Sequence, residues 1–584
     1  MPIGSPTRGA DRPQGTRTHA SLSAGAPGEL SIEPPEDGHL RPTCICFPAV
    51  GPRTRISSSR RRRAPLARHA RALARALALA LGATLAVAIP APPGAADSAP
   101  FEIRSHAITG VIEQVWPLQV SRCEGGASDV LVLSIDGGPP HQRKLLTYMP
   151  CGAALRPGDP SIVTRELPER AVVVDVATLP GREGPQLFVV SAEGIRVEAL
   201  SGDPAPRDYA IPGGLPLPPR PWAIGRLAIV DDWNDDGGRT ALVPSLRGAW
   251  LVDLASGATR EIEMPIYASY LTRMPHLPET IWKWMIQEVS WPSLERSDDN
   301  GDGRTDLIAL SRWAVWIYHA GPDGLPSQPT RRIELVPFTE EEELRNAAFV
   351  NNYFARDLDG DGRADLLLST IGGGLMDGHS RTRIHLNGGS GVSTDGEPDA
   401  LRETEGGFSG FLFADLDGDG REEIIEMTME FGIVQIIRIL VTRRAETQMR
   451  VLVLDPESPG GTRAVFEADF PFRLDFGEAT VTGMIPSLGD WNGDGALDLY
   501  VARNDEEIGF RMGSTAPGEP VFGSLVESQS VPLPSGQGRV GDLDGDGLDD
   551  IVAFNDDDPD MPLVVLHNRG VLPGTRAGLR AKER

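Results

Sequence analysis

Aspartates or asparagines at alternate positions, then a glycine, then a closing acid, recur along this chain and constrain it more than any other feature. Three copies are complete: Asp357-Leu-Asp359-Gly-Asp361-Gly-Arg-Ala-Asp365, Asp415-Leu-Asp417-Gly-Asp419-Gly-Arg-Glu-Glu423 and Asp542-Leu-Asp544-Gly-Asp546-Gly-Leu-Asp-Asp550. Two carry asparagine at the third position: Asp298-Asp-Asn300-Gly-Asp302-Gly-Arg-Thr-Asp306 and Asp490-Trp-Asn492-Gly-Asp494-Gly-Ala-Leu-Asp498. A weaker sixth, with Asp232, Asn234 and Asp236, ends in Thr240 and lacks the last acid. Four acids within nine residues repel one another unless a cation neutralises them. A hard cation such as calcium takes six to eight oxygens at irregular angles. Oxygens from positions 1, 3, 5 and 9, with the carbonyl of position 7, supply such a set if the glycine at position 6 lets the chain curl. The spacing therefore predicts about five calcium ions, with a sixth at the weaker copy, and these acids and carboxamides as the ligands.

The residues that follow each loop decide between two scaffolds. An EF-hand places a bidentate Glu at position 12, within a helix. Here that position holds Val243, Ala309, Leu368, Glu426, Val501 and Ala553, and the loops run into short apolar stretches such as Leu366-Leu-Leu and Ile551-Val-Ala-Phe. Runs of that length read as buried strands. The first aspartates stand at 232, 298, 357, 415, 490 and 542, spacings that each accommodate four short strands with loops. Upstream, Asp129 to Ser134 with Leu145 to Tyr148, and Ala171 to Val176 with Gln186 to Val190, read as two more units whose loops lack the acids. The expected fold is all-β: a propeller of seven to eight four-stranded blades, seven if the first unit is only a cap. No fourth strand remains after Asn568, so the extended Phe101 to Thr109 segment is expected to pair there and close the ring.

These loops resemble the FG-GAP or VCBS repeats of secreted bacterial proteins, related to those in the head propeller of integrin α subunits. The resemblance runs over residues 160 to 568. It implies calcium held in blade loops in a mainly structural role, and ligands met by variable loops on the propeller faces.

Charge and composition add the export signal and exclude one partner class. The chain carries 82 acids against 56 Lys and Arg, a formal charge of −26. A net acidic surface repels phosphate backbones, so nucleic acid is not an expected partner. The N-terminal region runs the other way, with arginines clustered at 60–63, 68, 71 and 75 ahead of the apolar stretch 76–89 and a small-residue site at Gly94-Ala95-Ala96. That order is a secretory signal, and fourteen apolar residues are too few to span a bilayer. The expected layout is an extension at 1–59, without a fold of its own or upstream of the true start, a signal peptide at 60–96, the propeller at 97–568 and a basic tail at 569–584. Export to periplasm, cell surface or medium follows, with no transmembrane span in the mature chain. Cys123 and Cys151 are then the cysteines left, and two cysteines in an exported chain are expected to pair.

The sequence contains no HExxH, GxSxG or P-loop pattern, and its histidines show no metal-ligand spacing. A non-catalytic binding or adhesion module for an envelope protein or polysaccharide is the favoured reading. The alternatives are a polysaccharide lyase on the same scaffold and a subunit of a surface assembly. Half of the ten tryptophans fall between residues 266 and 318. Trp282, Trp284 and Trp291 are thus candidate ligand-binding aromatics on an insertion, with packing between blades as the competing role.

Overall fold

The computed structural model describes residues 99–574 apart from short internal stretches, the longest being 216–223, 274–283, 337–348 and most of 431–443. The expected extension, signal peptide and basic tail lie almost wholly outside the described residues. Those described form eight blades, six of four strands and two, the second and sixth along the chain, with a fifth strand added at an edge, and one separate hairpin; the pairing is antiparallel except where Gly225–Arg226 lies beside Val173–Thr178. Blade 1 comprises Val111–Leu118, Asp129–Asp136, Arg143–Met149 and Val163–Glu166. Blade 4 comprises Ser293–Ser297, Asp306–Leu310, Ala314–Tyr318 and Arg331–Glu334, and blade 5 comprises Phe349–Arg356, Asp365–Gly372, His379–His385 and Ala400–Glu405. Blade 8 takes only three strands from the end of the chain, Gln537–Gly541, Asp550–Phe554 and Leu563–Asn568; its fourth is Phe101–His106, paired antiparallel with Leu563–Asn568. The expected closure is therefore present, and both acid-free upstream units are whole blades, which settles the count at eight.

Burial explains why the second strands read as unbroken apolar runs. Asp306–Leu310, Asp365–Gly372 and Asp550–Phe554 are buried at every position, because each is covered by a blade on either side. In Asp550–Phe554, Ile551 and Ala553 pack toward blade 7, against Tyr500 and Phe510, whereas Val552 and Phe554 pack toward blade 1, against Val130 and Val132. Every neighbouring pair of blades shares such an apolar cluster, including the pair formed by blades 8 and 1. First strands of adjacent blades also lie against one another, 4 with 5, 5 with 6, 7 with 8 and 8 with 1, so they form the inner ring. A closed ring leaves no sheet edge at the seam.

The seam is well anchored. Phe101 is 2% exposed; its ring stacks on Phe510 at 5.4 Å and meets the edge of Trp491 at 6.2 Å. Its backbone N–H donates to Gln529 Oε1 at 2.8 Å, and Gln529 Nε2 donates back to its carbonyl at 2.9 Å. Cys123 and Cys151 are joined by a disulfide, their Cα atoms 6.2 Å apart.

Candidate functional site

Each acidic loop connects the first strand of its blade to the second, and the second strand begins on position 9: Asp306, Asp365, Glu423, Asp498 and Asp550. The five loops share one hydrogen-bond plan. The position 1 carboxylate accepts backbone N–H groups from the glycines at positions 4 and 6, as Asp357 does from Gly360 (2.8 Å) and Gly362 (2.9 Å) and Asp542 does from Gly545 (2.7 Å) and Gly547 (3.0 Å). Both glycines sit at positive φ, +77° and +84° in blade 5, where a side chain would be strained. The position 5 carboxylate accepts the N–H of position 7, for instance Asp361 from Arg363 at 2.9 Å. Position 9 ties the loop to the sheet: Asp365 accepts from Leu358 N–H and, beyond the third strand, from Asn387 N–H, both at 2.8 Å. Asp306, Asp498 and Asp550 make the corresponding pair of bonds.

The result is a tight cage of oxygens. In three loops, side-chain oxygens of positions 1, 3 and 9 lie within 4.8 Å of one another: Asp357, Asp359 and Asp365; Asp415, Asp417 and Glu423; Asp542, Asp544 and Asp550. Two oxygens on one calcium are at most about 5 Å apart, so these sets fit a single ion. Position 5 is not in those groups of three, and Asp361 turns one oxygen to its own neighbour Arg363 at 2.7 Å. In blades 4 and 7 the carboxamides of Asn300 and Asn492 take position 3, each accepting the N–H of Asp302 or Asp494.

Burial of these acids carries an electrostatic cost. Asp306, Asp365 and Asp498 have no exposed surface, and Glu423 retains 4%. Burial first, and neighbouring carboxylates after it, push Asp365 up to about 6 and Glu423 and Asp498 up to about 7. Asp546 is raised to about 7 for the same reasons, and Asp306, Asp490 and Asp550 are shifted upward with burial as the leading cause. A divalent cation removes that repulsion, so an oxygen-only donor set, its spacing and its charge all fit calcium.

The weaker sixth loop folds in part as its relatives do. Asp232 accepts the N–H of Gly237 at 2.8 Å, but the closing residue is Thr240, whose hydroxyl donates to the carbonyl of Asp231 at 3.3 Å. Asn234 Oδ1 accepts from Leu325 N–H at 3.5 Å, and Asp236 lies outside the described residues. Among the candidate aromatics, Trp284 lies on the strand Trp284–Ser290, which pairs with Tyr267–Arg273 as a hairpin between blades 3 and 4, the expected insertion. Trp282 lies outside the described residues. Trp291 is half-buried against the cluster between blades 3 and 4, its indole N–H donating to Gly248 O at 3.2 Å.

Sequence reading missed the links between loops. Between blades 4 and 5 and between blades 7 and 8, position 8 of the later loop donates its N–H to the position 1 carbonyl of the earlier one: Ala364 to Asp298 at 2.9 Å and Asp549 to Asp490 at 3.0 Å. Asp299, the unremarkable second residue of its loop, is fully buried and accepts from Arg331 (2.9 Å) and from Val392 N–H of blade 5 (2.9 Å), with His319 Nε2 at 2.8 Å. An acid at a position that the loop pattern leaves free was the available signal.

Residues 298–368 and 357–425, spanning the loops of blades 4, 5 and 6, match the FG-GAP-like repeat. No curated protein matches the chain in sequence. Among solved structures, the V. cholerae biofilm matrix protein Bap1 is 11% identical, with 81% of this chain and 92% of that chain covered and a TM-score of 0.33. The Photorhabdus luminescens Tc holotoxin pore is 13% identical with a TM-score of 0.26; the match takes in 75% of this chain, which spans only 16% of that structure's length. A Bacillus licheniformis rhamnogalacturonan lyase is 13% identical, with coverages of 56% and 60% and a TM-score of 0.23. These likenesses are too loose to bear on function. The closed ring and the matched repeats together identify the chain as an eight-bladed β-propeller that carries FG-GAP-like repeats over residues 298–425.

Proposed function

We propose that this chain is an exported, calcium-stabilised propeller that serves as a non-catalytic binding or adhesion module for an envelope or extracellular protein or polysaccharide. The observation that carries the reading is the set of five oxygen-only loops, each closed by a buried acid. Asp298, Asn300, Asp302 and Asp306 hold the ion of blade 4, and Asp357, Asp359, Asp361 and Asp365 that of blade 5. Asp415, Asp417, Asp419 and Glu423 serve blade 6, Asp490, Asn492, Asp494 and Asp498 blade 7, and Asp542, Asp544, Asp546 and Asp550 blade 8. Bound calcium offsets two of the loop's negative charges and fixes backbone whose carbonyls, at Asp298, Asp490 and Asp542, accept from the next blade. Extracellular calcium modules bind at about 10⁻⁴ to 10⁻³ M, concentrations met outside the cell. The Cys123–Cys151 disulfide suits the same oxidising compartment.

Ligand contact is placed on the aromatic hairpin that interrupts the blade series, where Tyr267 is 57% exposed and Trp284 begins the second strand. The mature chain, immobilised and offered envelope proteins and polysaccharides from its own source, is expected to retain one partner in calcium and release it in EDTA. Trp282→Ala and Trp284→Ala are expected to weaken retention without changing the melting temperature. Retention that is indifferent to chelation, or depolymerisation of an offered polysaccharide with new unsaturated ends, would overturn the proposal.

A further inference from the structure

Blade 1 has a first-to-second-strand loop in register with the five acidic ones, although its acids are almost all gone. Counting back from Asp129, which begins the second strand, gives Ser121-Arg-Cys123-Glu-Gly125-Gly126-Ala-Ser128-Asp129, nine residues with glycine at position 6 and an acid at position 9. Gly126 has φ +84°, as Gly362 does in blade 5. Asp129 is 1% exposed and accepts from Ser121 N–H at 2.7 Å and from the Tyr148 hydroxyl at 3.0 Å. Ser128, at position 8, donates its N–H to the carbonyl of Asp542, the first residue of the blade 8 loop, at 2.7 Å. That bond repeats the ones from Ala364 to Asp298 and from Asp549 to Asp490.

Cys123 stands at position 3, where the cation loops present Asp or Asn. Cys151 stands two residues past the end of the third strand, as Ala320 does in blade 4 and Asn387 in blade 5, the residues whose N–H groups reach the position 9 acid. Its Sγ lies 3.5 Å from Asp129 Oδ1. The next residue, Gly152, donates its N–H to the carbonyl of Leu543 in the blade 8 loop at 2.9 Å. The two loops touch at glycines as well: a Cβ on Gly125 would lie 2.2 Å from the carbonyl oxygen of Gly545.

We propose that the Cys123–Cys151 disulfide occupies in blade 1 the place that a calcium ion takes in blades 4 to 8, and that it holds the neighbouring blade 8 loop in its cation-binding shape. The disulfide ties position 3 directly to the residue beyond the third strand; an ion joins position 3 to the position 9 acid, which in turn accepts the N–H of that residue. The blade 8 loop lies at the seam of the ring, with Asp542 and Leu543 bonded to the stapled loop and Asp550 bonded to Asn568. Loosening the staple therefore loosens that cation site before any other. Reduction by a dithiol moves two electrons and two protons to the pair of sulfurs, leaving two thiols in the protein and the reductant as its own disulfide.

The proposal rests on the calcium reading for one of its two readouts, and the test keeps them apart. Hydrogen exchange of the mature chain is followed in EDTA, oxidised and after reduction with dithiothreitol, and on the Cys123→Ser/Cys151→Ser variant. Faster exchange confined to Asp129–Asp136 and Asp550–Phe554, with Asp365–Gly372 unchanged, is expected; uniform loosening, or no change in blade 8, overturns the staple. Calcium titration then asks whether reduction weakens one site about tenfold, within the usual range of coupling between sites, while the others hold. Five sites of unaltered affinity after reduction overturn the coupling. An oxidised chain that binds no calcium overturns the calcium reading instead, and the exchange pattern still decides the staple.

Discussion

Blades 4 to 8 and blades 1 to 3 solve one problem, the turn from first to second strand, by different chemistry. The later blades use a ladder of acids, which the calcium reading closes around an ion. The earlier ones close the turn without it. Blade 1 has Asp129 with its disulfide; blade 2 has Gln186, fully buried, whose amide donates to the carbonyls of Glu183 (3.3 Å) and Gly184 (3.2 Å) while accepting from Arg182 at 3.2 Å. Blade 3 uses the hydroxyl of Thr240. A neutral amide or a disulfide holds whatever cations the solution contains, whereas on the calcium reading five buried acids make their half of the ring conditional on an ion. One repeat geometry thus yields two regions of different dependence.

Chelation breaks this comparison most strongly. At about 10 mM calcium and dissociation constants near 10⁻⁴ to 10⁻³ M, each site stabilises the folded chain by roughly 1.4 to 2.7 kcal/mol, about 7 to 14 kcal/mol for five. EDTA is expected to lower the melting temperature accordingly, and exchange is expected to quicken in Asp306–Leu310 and Asp498–Ala502 while Pro185–Ser191 stays protected. An unchanged melt, or equal loosening of both regions, would refute the division.

Phe101→Ala attacks the strand that closes the ring, within the later region, where the start of the chain packs between blades 7 and 8. Removing a ring packed on Phe510 and Trp491 leaves a cavity, and such losses cost about 3 to 5 kcal/mol. The expected outcome is a calcium-independent fall in stability, with faster exchange in Leu563–Asn568. A fall that calcium restores in full would place the seam's strength in the loops instead.

Acidity sharpens the contrast with a smaller effect. In the metal-free chain the carboxyls of Asp365, Glu423 and Asp498 keep their protons up to about pH 6 to 7, whereas in the unfolded chain they lose them near pH 4. The folded state binds more protons across that window, so stability in EDTA falls as pH rises from about 4 to 7, by up to about 1.4 kcal/mol per group per pH unit. With calcium the order reverses, because protons compete with the ion. Parallel thermal melts across that range check both signs.

The repeat pattern made the blades legible because metal loops place identifiable residues at fixed spacing, and the apolar run after each one marked a strand buried on both faces. The closing strand was also readable, since the last unit was one strand short. What stayed hidden lay between repeats. Nothing in a single loop says that Ala364 N–H reaches the carbonyl of Asp298, because backbone bonds leave no trace in side-chain identity. Blade 1 escaped for a different reason: cysteine and glycine stand where the pattern looks for acids, and only Asp129 at the start of a buried strand reveals the register. The apolar clusters shared by every neighbouring pair decided for eight blades over seven, information carried by packing across long separations.

The finest division falls inside the pattern itself, between a loop with its closing acid and one without. Asp298→Asn removes a charge from a loop whose position 9 is the buried Asp306. It is expected to cost roughly 1.4 to 2.7 kcal/mol of calcium-dependent stability, about one site's share. Asp232→Asn keeps an oxygen able to accept from Gly237 N–H in a loop closed by Thr240, and is expected to stay within about 0.5 kcal/mol, as for a surface change. The measured quantity is the difference between melts with calcium and with EDTA for each variant. Equal losses in the two would mean that the closing acid does not decide where the ion binds, and blade 3 would then join the cation-dependent half.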